Sequence, residues 1–371
     1  MLQSVLGLYW ARLGSLHALE MVRRAPLWKH WLGQPMASAD TVGRVYALLE
    51  NAGLRRGLQH VYRRLKRNKV LRSVGGWDVA VLDGHENHAS YRRHCAGCLQ
   101  RTIHTQGREQ LQFYHRQVTL MLRGEKFHFL LDVEAQRPGE DEVAAALRLL
   151  ERVLLACPRA FQLLVADGLY AQARFMNFLI AHGKQVLLVL KDERRGLYQD
   201  VLGLWPGMTP QPGQFRSREC LWWDVLDLTS WPQVRVPLRV VRSQETYTVR
   251  RQVSGLVSEE HAEWVWVTTL SATQASTQLI VRLGHARWDI ENYGFNQLVN
   301  DWHADHVYKH HPNAIEAFTL VAFLAYNLFH AFLTRNVKPQ LRQGKTESFW
   351  VQLIAAQIYT PAWPRATAHA P

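Results

Sequence analysis

Two short apolar runs, each closed by an Asp-Gly pair, limit what this chain can fold into. WDVAVLDGHE carries residues 79–82 ahead of Asp83, and FQLLVADGLY carries residues 161–166 ahead of Asp167. An apolar run without polar alternation reads as a strand covered on both faces, and the acid after it sets a carboxylate at the strand's C-terminal end. Between these runs, residues 113–122 and 126–132 read as strands joined by the hairpin turn Arg123-Gly124-Glu125. The first buried strand therefore opens a set of three successive antiparallel strands. The period then changes: Val143, Leu147, Leu150 and Leu154 form a helical stripe with acidic residues gathered at its start, where they suit the helix dipole. After the second Asp-Gly, a helix over about 171–182 leads through Gly183 into another apolar strand, 185–190. The order β-β-β-α-β-α-β predicts an α/β fold with a mixed sheet flanked by helices.

The flanking stretches differ in texture. Residues 1–75 show helical patterning, with Ser38 or Asp40 placed to cap a segment carrying Val42, Val45, Tyr46 and Leu49. Within 51–75 stand Arg55, Arg56, Arg63, Arg64, Lys66, Arg67, Lys69 and Arg72 without an acidic residue. A solvated helix face normally mixes signs, so this run suits a phosphate backbone, as does the net charge of +13. Residues 192–273 are rich in β-branched and aromatic side chains and punctuated by prolines, which reads as an all-β insertion. Residues 317–333 are nearly as apolar as a membrane span but carry Asn327 and His330, and read as a buried C-terminal helix. The N-terminus has no charged n-region leading an apolar h-region, so a cytoplasmic protein without a membrane partner is expected. The tail from Pro361 is expected to be disordered. The predicted organisation is 1–75, a basic helical DNA-binding region; 76–191 with 274–335, the α/β core; 192–273, the insertion; and 336–371, a C-terminal helix and tail.

A third segment, 278–306, reads QLIVRLGHARWDIENYGFNQLVNDWHADH. Leu279, Leu283, Ala286 and Ile290 recur at helical spacing, while Arg287 and Glu291 stand four residues apart on an adjacent face. The fold brings Asp83 and Asp167 to neighbouring strands, and this helix can bring Glu291 alongside. Three carboxylates cannot share a site ionised unless cations neutralise them, and Mg2+ or Mn2+, as two ions, suits an all-oxygen site for phosphoryl transfer.

On VLDGHE, VADGLY and RWDIENYGFNQLV the chain resembles bacterial insertion-sequence transposases of the DDE class, over about residues 40–335. The resemblance implies an RNase H-like core with a β-strand insertion between the second Asp and the Glu. It implies Asp83, Asp167 and Glu291 as ligands of the catalytic metals, Arg287 near the DNA end, double-stranded DNA as partner and a homodimer on it. The family's third motif runs Tyr-x2-Arg-x3-Glu-x6-Lys; here Gly284 replaces the Tyr and Leu298 the Lys, with Lys309 or His306 as candidate substitutes. Trp264, with Trp266, is a candidate to stack on a base flipped out near the element end, although alternate strand positions more often hold core aromatics.

A second constellation is local. His85, His88, His94, Cys95, Cys98 and His104 fall within twenty residues. The thiolates of Cys95 and Cys98, completed by His88 and His94, suit a structural Zn2+; the alternative is a reduced surface turn among scattered histidines. Among His303, His306, His310 and His311, His306 is the one expected near the site. With Arg287, His306, Arg63, Arg64, Lys66, Arg67, Lys69 and Trp264 as DNA contacts, the expected activity is metal-dependent cleavage at transposon ends followed by strand transfer. A degenerate DNA-binding relative and a nuclease that does not join ends are the alternatives.

Overall fold

The computed structural model describes the chain apart from residues 25–27, 29–30, 34–35, 106, 192–194 and 360–371, so the tail expected to be disordered lies outside the described residues. The strands are β1 (Val79–Ser90), β2 (Leu99–Thr105), β3 (Arg108–Arg123), β4 (His128–Ala135), β5 (Leu163–Ala166), β6 (Gln185–Val189), β7 (Gln211–Phe215), β8 (Arg218–Leu228), β9 (Leu238–Arg250) and β10 (Val257–Thr268). Among the described residues they form a mixed sheet in the order β2-β3-β1-β5-β6-β10-β9-β8-β7, with β4 paired to β3. Helices flank it, and the class is mixed α/β, RNase H-like, as the element order predicts.

The chain divides into two compact units: Met1–Arg72, Gly84–Leu149 and Glu291–Pro371 form the first, and Ser73–Asp83 with Leu150–Ile290 the second. In the first, α1 (Leu2–Trp10), α2 (Leu16–Val22), α3 (Ala39–Leu48) and α4 (Asn51–Arg67) precede the strands. Ser38 caps α3 by accepting a hydrogen bond from the Thr41 N–H at 3.3 Å. After β4 comes α5 (Glu142–Ala156), whose first residues belong to this unit.

The second unit adds α6 (Ala173–Ala181), α7 (Gly196–Leu204) and α8 (Thr277–His285). β1 and β5 are parallel with Val79 opposite Leu163 and Leu82 opposite Ala166, and β5 and β6 are parallel in turn. β10 returns antiparallel along β6, followed outward by β9, β8 and β7. The β-rich stretch thus extends the sheet edge. Its anchor is the aromatic and aliphatic interior in which Trp266, Val241, Leu187, Val165, Ile280 and Leu283 pack together, all at most 1% exposed. The start of α8 is fixed by Ser276, which caps Leu279 N–H, and by Asp224, which accepts from Thr277 Oγ1 at 2.6 Å and pairs with buried Arg239.

Back in the first unit, α9 (Asn296–Asn300) and α10 (Pro312–Asn336) complete the interior, and Glu347–Tyr359 forms a further helix. α10 is long and apolar enough to cross a membrane by length and composition, yet 67% of that apolar window is buried inside the protein. Fully buried Asn327, the residue least suited to lipid, exchanges two hydrogen bonds with the backbone of Leu130 on β4, at 2.8 and 2.9 Å. A core amide thereby satisfies backbone groups that would otherwise be costly to bury. Tyr9 and Trp10 on α1 donate to the Phe318 and Ala325 carbonyls of the same helix.

Three expectations change. Four strands, not three, precede α5: β1 runs on to Ser90 and β2 pairs with the first half of β3, from Leu99 opposite Tyr114 to Thr105 opposite Arg108. The exposed tip of this hairpin alternates only weakly in polarity, so no period marks it. Secondly, 278–306 is not one regular helix. α8 stops at His285, a 3-10 turn covers Ala286–Trp288, a π-helical turn covers Ile290–Phe295, and only then does α9 resume. Arg287 and Glu291 therefore do not stand in the simple stacked relation of a uniform α-helix. Thirdly, Arg55 is no part of an open basic face. It pairs with Asp132 at 2.9 Å, donates to the Val133 carbonyl at 3.1 Å and contacts Glu316.

Candidate active site

The strand register builds the first part of the site. Leu82 lies opposite Ala166 on parallel neighbours, and the next residues along are Asp83 and Asp167. β5 ends there, and Asp167 becomes the cap of the short turn Gly168–Tyr170. One register step beyond a shared pair, the backbones of these two acids lie about one strand spacing apart, roughly 5 Å, and like charges on neighbouring strand ends favour cationic partners. Each is answered by a cation. Arg287 Nη1 lies 3.3 Å from Asp83 Oδ2, with both side chains largely buried, and Lys191 Nζ lies 2.9 Å from Asp167 Oδ1. Burial raises the Asp167 pKa, but the Lys191 hydrogen bond, the Gly168 N–H and the charges of Lys191 and Arg287 outweigh it and hold the carboxyl below its usual range.

Arg287 is presented by the 3-10 turn after α8, and its guanidinium lies 4.0 Å from the centre of the Trp288 ring. Trp288 is 39% exposed, whereas Trp264 is half-buried and stacked on Trp266 at 6.1 Å with the rings 9° from parallel. Glu291 is the second residue of the π-helical turn and the first residue of the other unit in that stretch. Turns of this kind occur mostly as single-turn interruptions of α-helices and are frequent at functional sites.

The structure accounts for both departures from the third motif. A Cβ on Gly284 would lie 2.4 Å from Cε2 and Nε1 of Trp266, which is 1% exposed, so the indole occupies the space that any side chain at 284 needs. Leu298 is 6% exposed and lines a small apolar cleft with Phe295, Val299 and Phe323, which makes it a core residue of its unit.

A family model described as the transposase DDE domain matches residues 54–328 of the 371. The chain belongs to the transposase DDE domain family. No curated protein matches it. The match to this DNA-transposing family runs from within α4 into α10 and includes all three acidic positions.

Other expected site residues of this family member belong to the first unit. Arg63, Arg64, Arg67 and Lys69 are exposed and Lys66 is half-buried, on and just beyond α4, whose opposite face buries Leu58, Tyr62 and Leu65. His306 lines a cavity of the first unit with Asn87, His88, Arg93, His303 and Lys309; burial, with charge from Arg93 and His303, lowers its pKa against the pull of Asp305. Of the four expected zinc ligands, Cys95 and Cys98 are together, but His88 and His94 are not in their cluster. His94 is exposed and stacks on Phe113, and His88 packs edge-on against His310. His115 and His310 take those places. Burial pushes the Cys95 thiol up to about 11 and the His115 imidazole down to about 4.

Lys191 and Trp288 do not stand out by pattern. Lys191 carries a signal all the same: it follows the apolar run of β6 as the aspartates follow theirs. Trp288 has none beyond its place next to Arg287.

Proposed function

We propose that this chain is a DNA transposase that hydrolyses DNA at the ends of its mobile element and joins the freed 3′-hydroxyl to target DNA. The observation that carries this reading is the pair Asp83 and Asp167, one register step beyond Leu82 and Ala166 on adjacent parallel strands, with Arg287 against Asp83. The donor chemistry fits a hard divalent cation: Asp83 and Asp167 follow adjacent parallel strands, and the carboxylate of each is drawn to a positive group. Asp83, Asp167 and Glu291 would hold Mg2+ or Mn2+, as two ions, which when bound neutralise the acids and activate an oxygen for attack on a phosphodiester.

The chain's own groups position the DNA. Arg287, with a planar fork of donors, holds a phosphate oxygen beside the carboxylates, and Lys191 screens Asp167 until substrate arrives. The exposed basic residues after Leu58 track the duplex backbone without reading sequence. Trp288, and behind it Trp264, offers a ring on which an unpaired base can stack. Displacement is in line and leaves no covalent enzyme intermediate. Two ends must be processed together, so the working form is a homodimer on double-stranded DNA, acting in the bacterial cytoplasm at the nucleoid.

The test is incubation of the full chain with DNA bearing its terminal repeats, in Mg2+ and separately in Mn2+. Nicked ends, and joined products from a precleaved end, are expected. Binding without nicking in either metal would favour the degenerate DNA-binding reading. Nicking without joined products would favour a nuclease.

A further inference from the structure

Cys95 and Cys98 lie on the turn between β1 and β2, His115 sits in β3, and His310 lies just ahead of α10. Their ligand atoms all fall within 4.8 Å of one another. The two sulfurs are 3.8 Å apart, far beyond a disulfide bond. His115 Nε2 is 3.3 Å from the Cys95 sulfur and 3.2 Å from that of Cys98, and His310 Nε2 is 3.4 Å from the Cys98 sulfur.

The sulfur–sulfur separation and these three sulfur–nitrogen separations are those of a coordination shell. A tetrahedral ion with sulfur at about 2.3 Å and nitrogen at about 2.0–2.1 Å holds its sulfurs about 3.8 Å apart and spaces sulfur from nitrogen by about 3.5 Å. Two thiols and two imidazoles all turned on one point gain little from each other as hydrogen-bonding groups, since a thiol is a weak donor and a weak acceptor. A soft-to-borderline divalent cation gives all four a strong partner, and a two-sulfur, two-nitrogen set selects zinc over the hard ions suited to the carboxylates.

The surroundings are built to hold this arrangement. The turn is closed by the Cys98 N–H donating to the Cys95 carbonyl at 3.1 Å, while the Cys95 N–H donates to the Cys98 sulfur at 3.2 Å. Such N–H donors to sulfur steady a thiolate and fix its direction. A side chain at Gly97 would approach Pro312 Cγ to 3.0 Å, so the turn is seated against the first residue of α10.

We propose that Cys95, Cys98, His115 and His310 bind a structural zinc ion. Four protein ligands close the shell, so the site braces the fold and leaves no open position for a substrate. It fastens the β2–β3 hairpin to the segment that enters α10, joining residues 212 positions apart in the chain. The same segment carries His303, His306 and Lys309 around their cavity, and the clamp fixes its downstream end.

The test uses the full-length protein, kept reduced and purified without chelator. Elemental analysis is expected to give about one zinc per chain, and replacement by Co2+ to give the thiolate-to-metal and tetrahedral absorption bands of a two-sulfur site. Cys98→Ser and His310→Ala should each lose the zinc, while His88→Ala and His94→Ala keep it. Should His310→Ala fail to fold, His310→Cys is expected to retain zinc and shift the cobalt spectrum toward a three-sulfur site. Wild-type protein that carries zinc well below one per chain and shows no cobalt bands would overturn the proposal. So would zinc loss in His94→Ala with zinc kept in His310→Ala. None of these readouts depends on DNA cleavage.

Discussion

The strand-end carboxylates of the second unit and the thiol-imidazole cluster of the first are both gatherings of metal-ligating side chains, assembled by opposite routes. Asp83 and Asp167 are neighbours because two parallel strands are in register, so the backbone alone brings them together. Cys95, Cys98, His115 and His310 meet because a turn, a strand and a pre-helical segment converge. The first set is partly open to solvent and its charges are held by Arg287 and Lys191; the second is closed around its own atoms. Function at a rim is separable from stability, whereas a cluster that ties a turn, a strand and a pre-helical segment to one another is part of what holds its unit together.

That contrast can be broken most sharply by Asp167→Asn. DNA cleavage should fall on the order of a thousandfold or more, the scale at which loss of one transition-state group is felt. The melting temperature should move by no more than about 2 °C, since Asp167 lies at a strand end against an exposed lysine. A large loss of stability there would erase the distinction between rim and interior.

Replacing Arg64, Arg67 and Lys69 together by Ala tests the exposed basic stretch. DNA affinity should weaken on every sequence, and the slope of log affinity against log salt should fall by about 0.9 for each phosphate no longer neutralised, roughly 3 in all. Competition binding at several salt concentrations measures it; an unchanged slope would remove this face from the DNA path. Arg55→Ala, by comparison, should lower stability, because it takes a cation out of a buried network with Asp132.

Gly284→Ala sharpens the account of the altered third motif. Overpacking against Trp266 costs about 1–3 kcal/mol, more than the about 1 kcal/mol that helix propensity returns, so denaturant melts should show net destabilisation. A stabilised variant would mean that the indole yields and that its position does not explain the glycine.

A further expected effect is one of pH. Burial, with the charge of His128 second, pushes His330 on α10 down to about 3, and its Nε2 donates to Gln297 at 2.8 Å. The unfolded chain takes up this proton near pH 6.5 while the folded chain does not. Stability should therefore fall as pH drops from about 6.5 towards 3. His330→Gln should flatten that slope in melts across the range; an unchanged slope would place the effect in other groups.

The two sites also differ in how far the sequence reveals them. Apolar runs ending in Asp83 and Asp167 are legible because burial on both faces erases polar alternation and the acid marks the rim. The flanking helices show their period, and Ser38 its cap. The break after His285 is not legible, since Leu279, Leu283, Ala286 and Ile290 keep helical spacing through a 3-10 and a π turn. Nor are the partners of Cys95 and Cys98. Histidines nearby in sequence are the natural expectation, but imidazoles from β3 and from the segment before α10 take those places. Gly284 looks like a lost tyrosine until Trp266, eighteen residues earlier, is seen filling the space. Side chains that meet by convergence leave no local period to read.

The central claim is that the rim carboxylates make this a metal-dependent DNA-cleaving enzyme. Its most direct test compares wild type with Asp83→Ala on terminal-repeat DNA in Mg2+, with DNA binding measured on the same samples. The expected result is cleavage by the wild type, none by the variant, and binding within about twofold between them. Mg2+-dependent cleavage retained by Asp83→Ala would contradict the account.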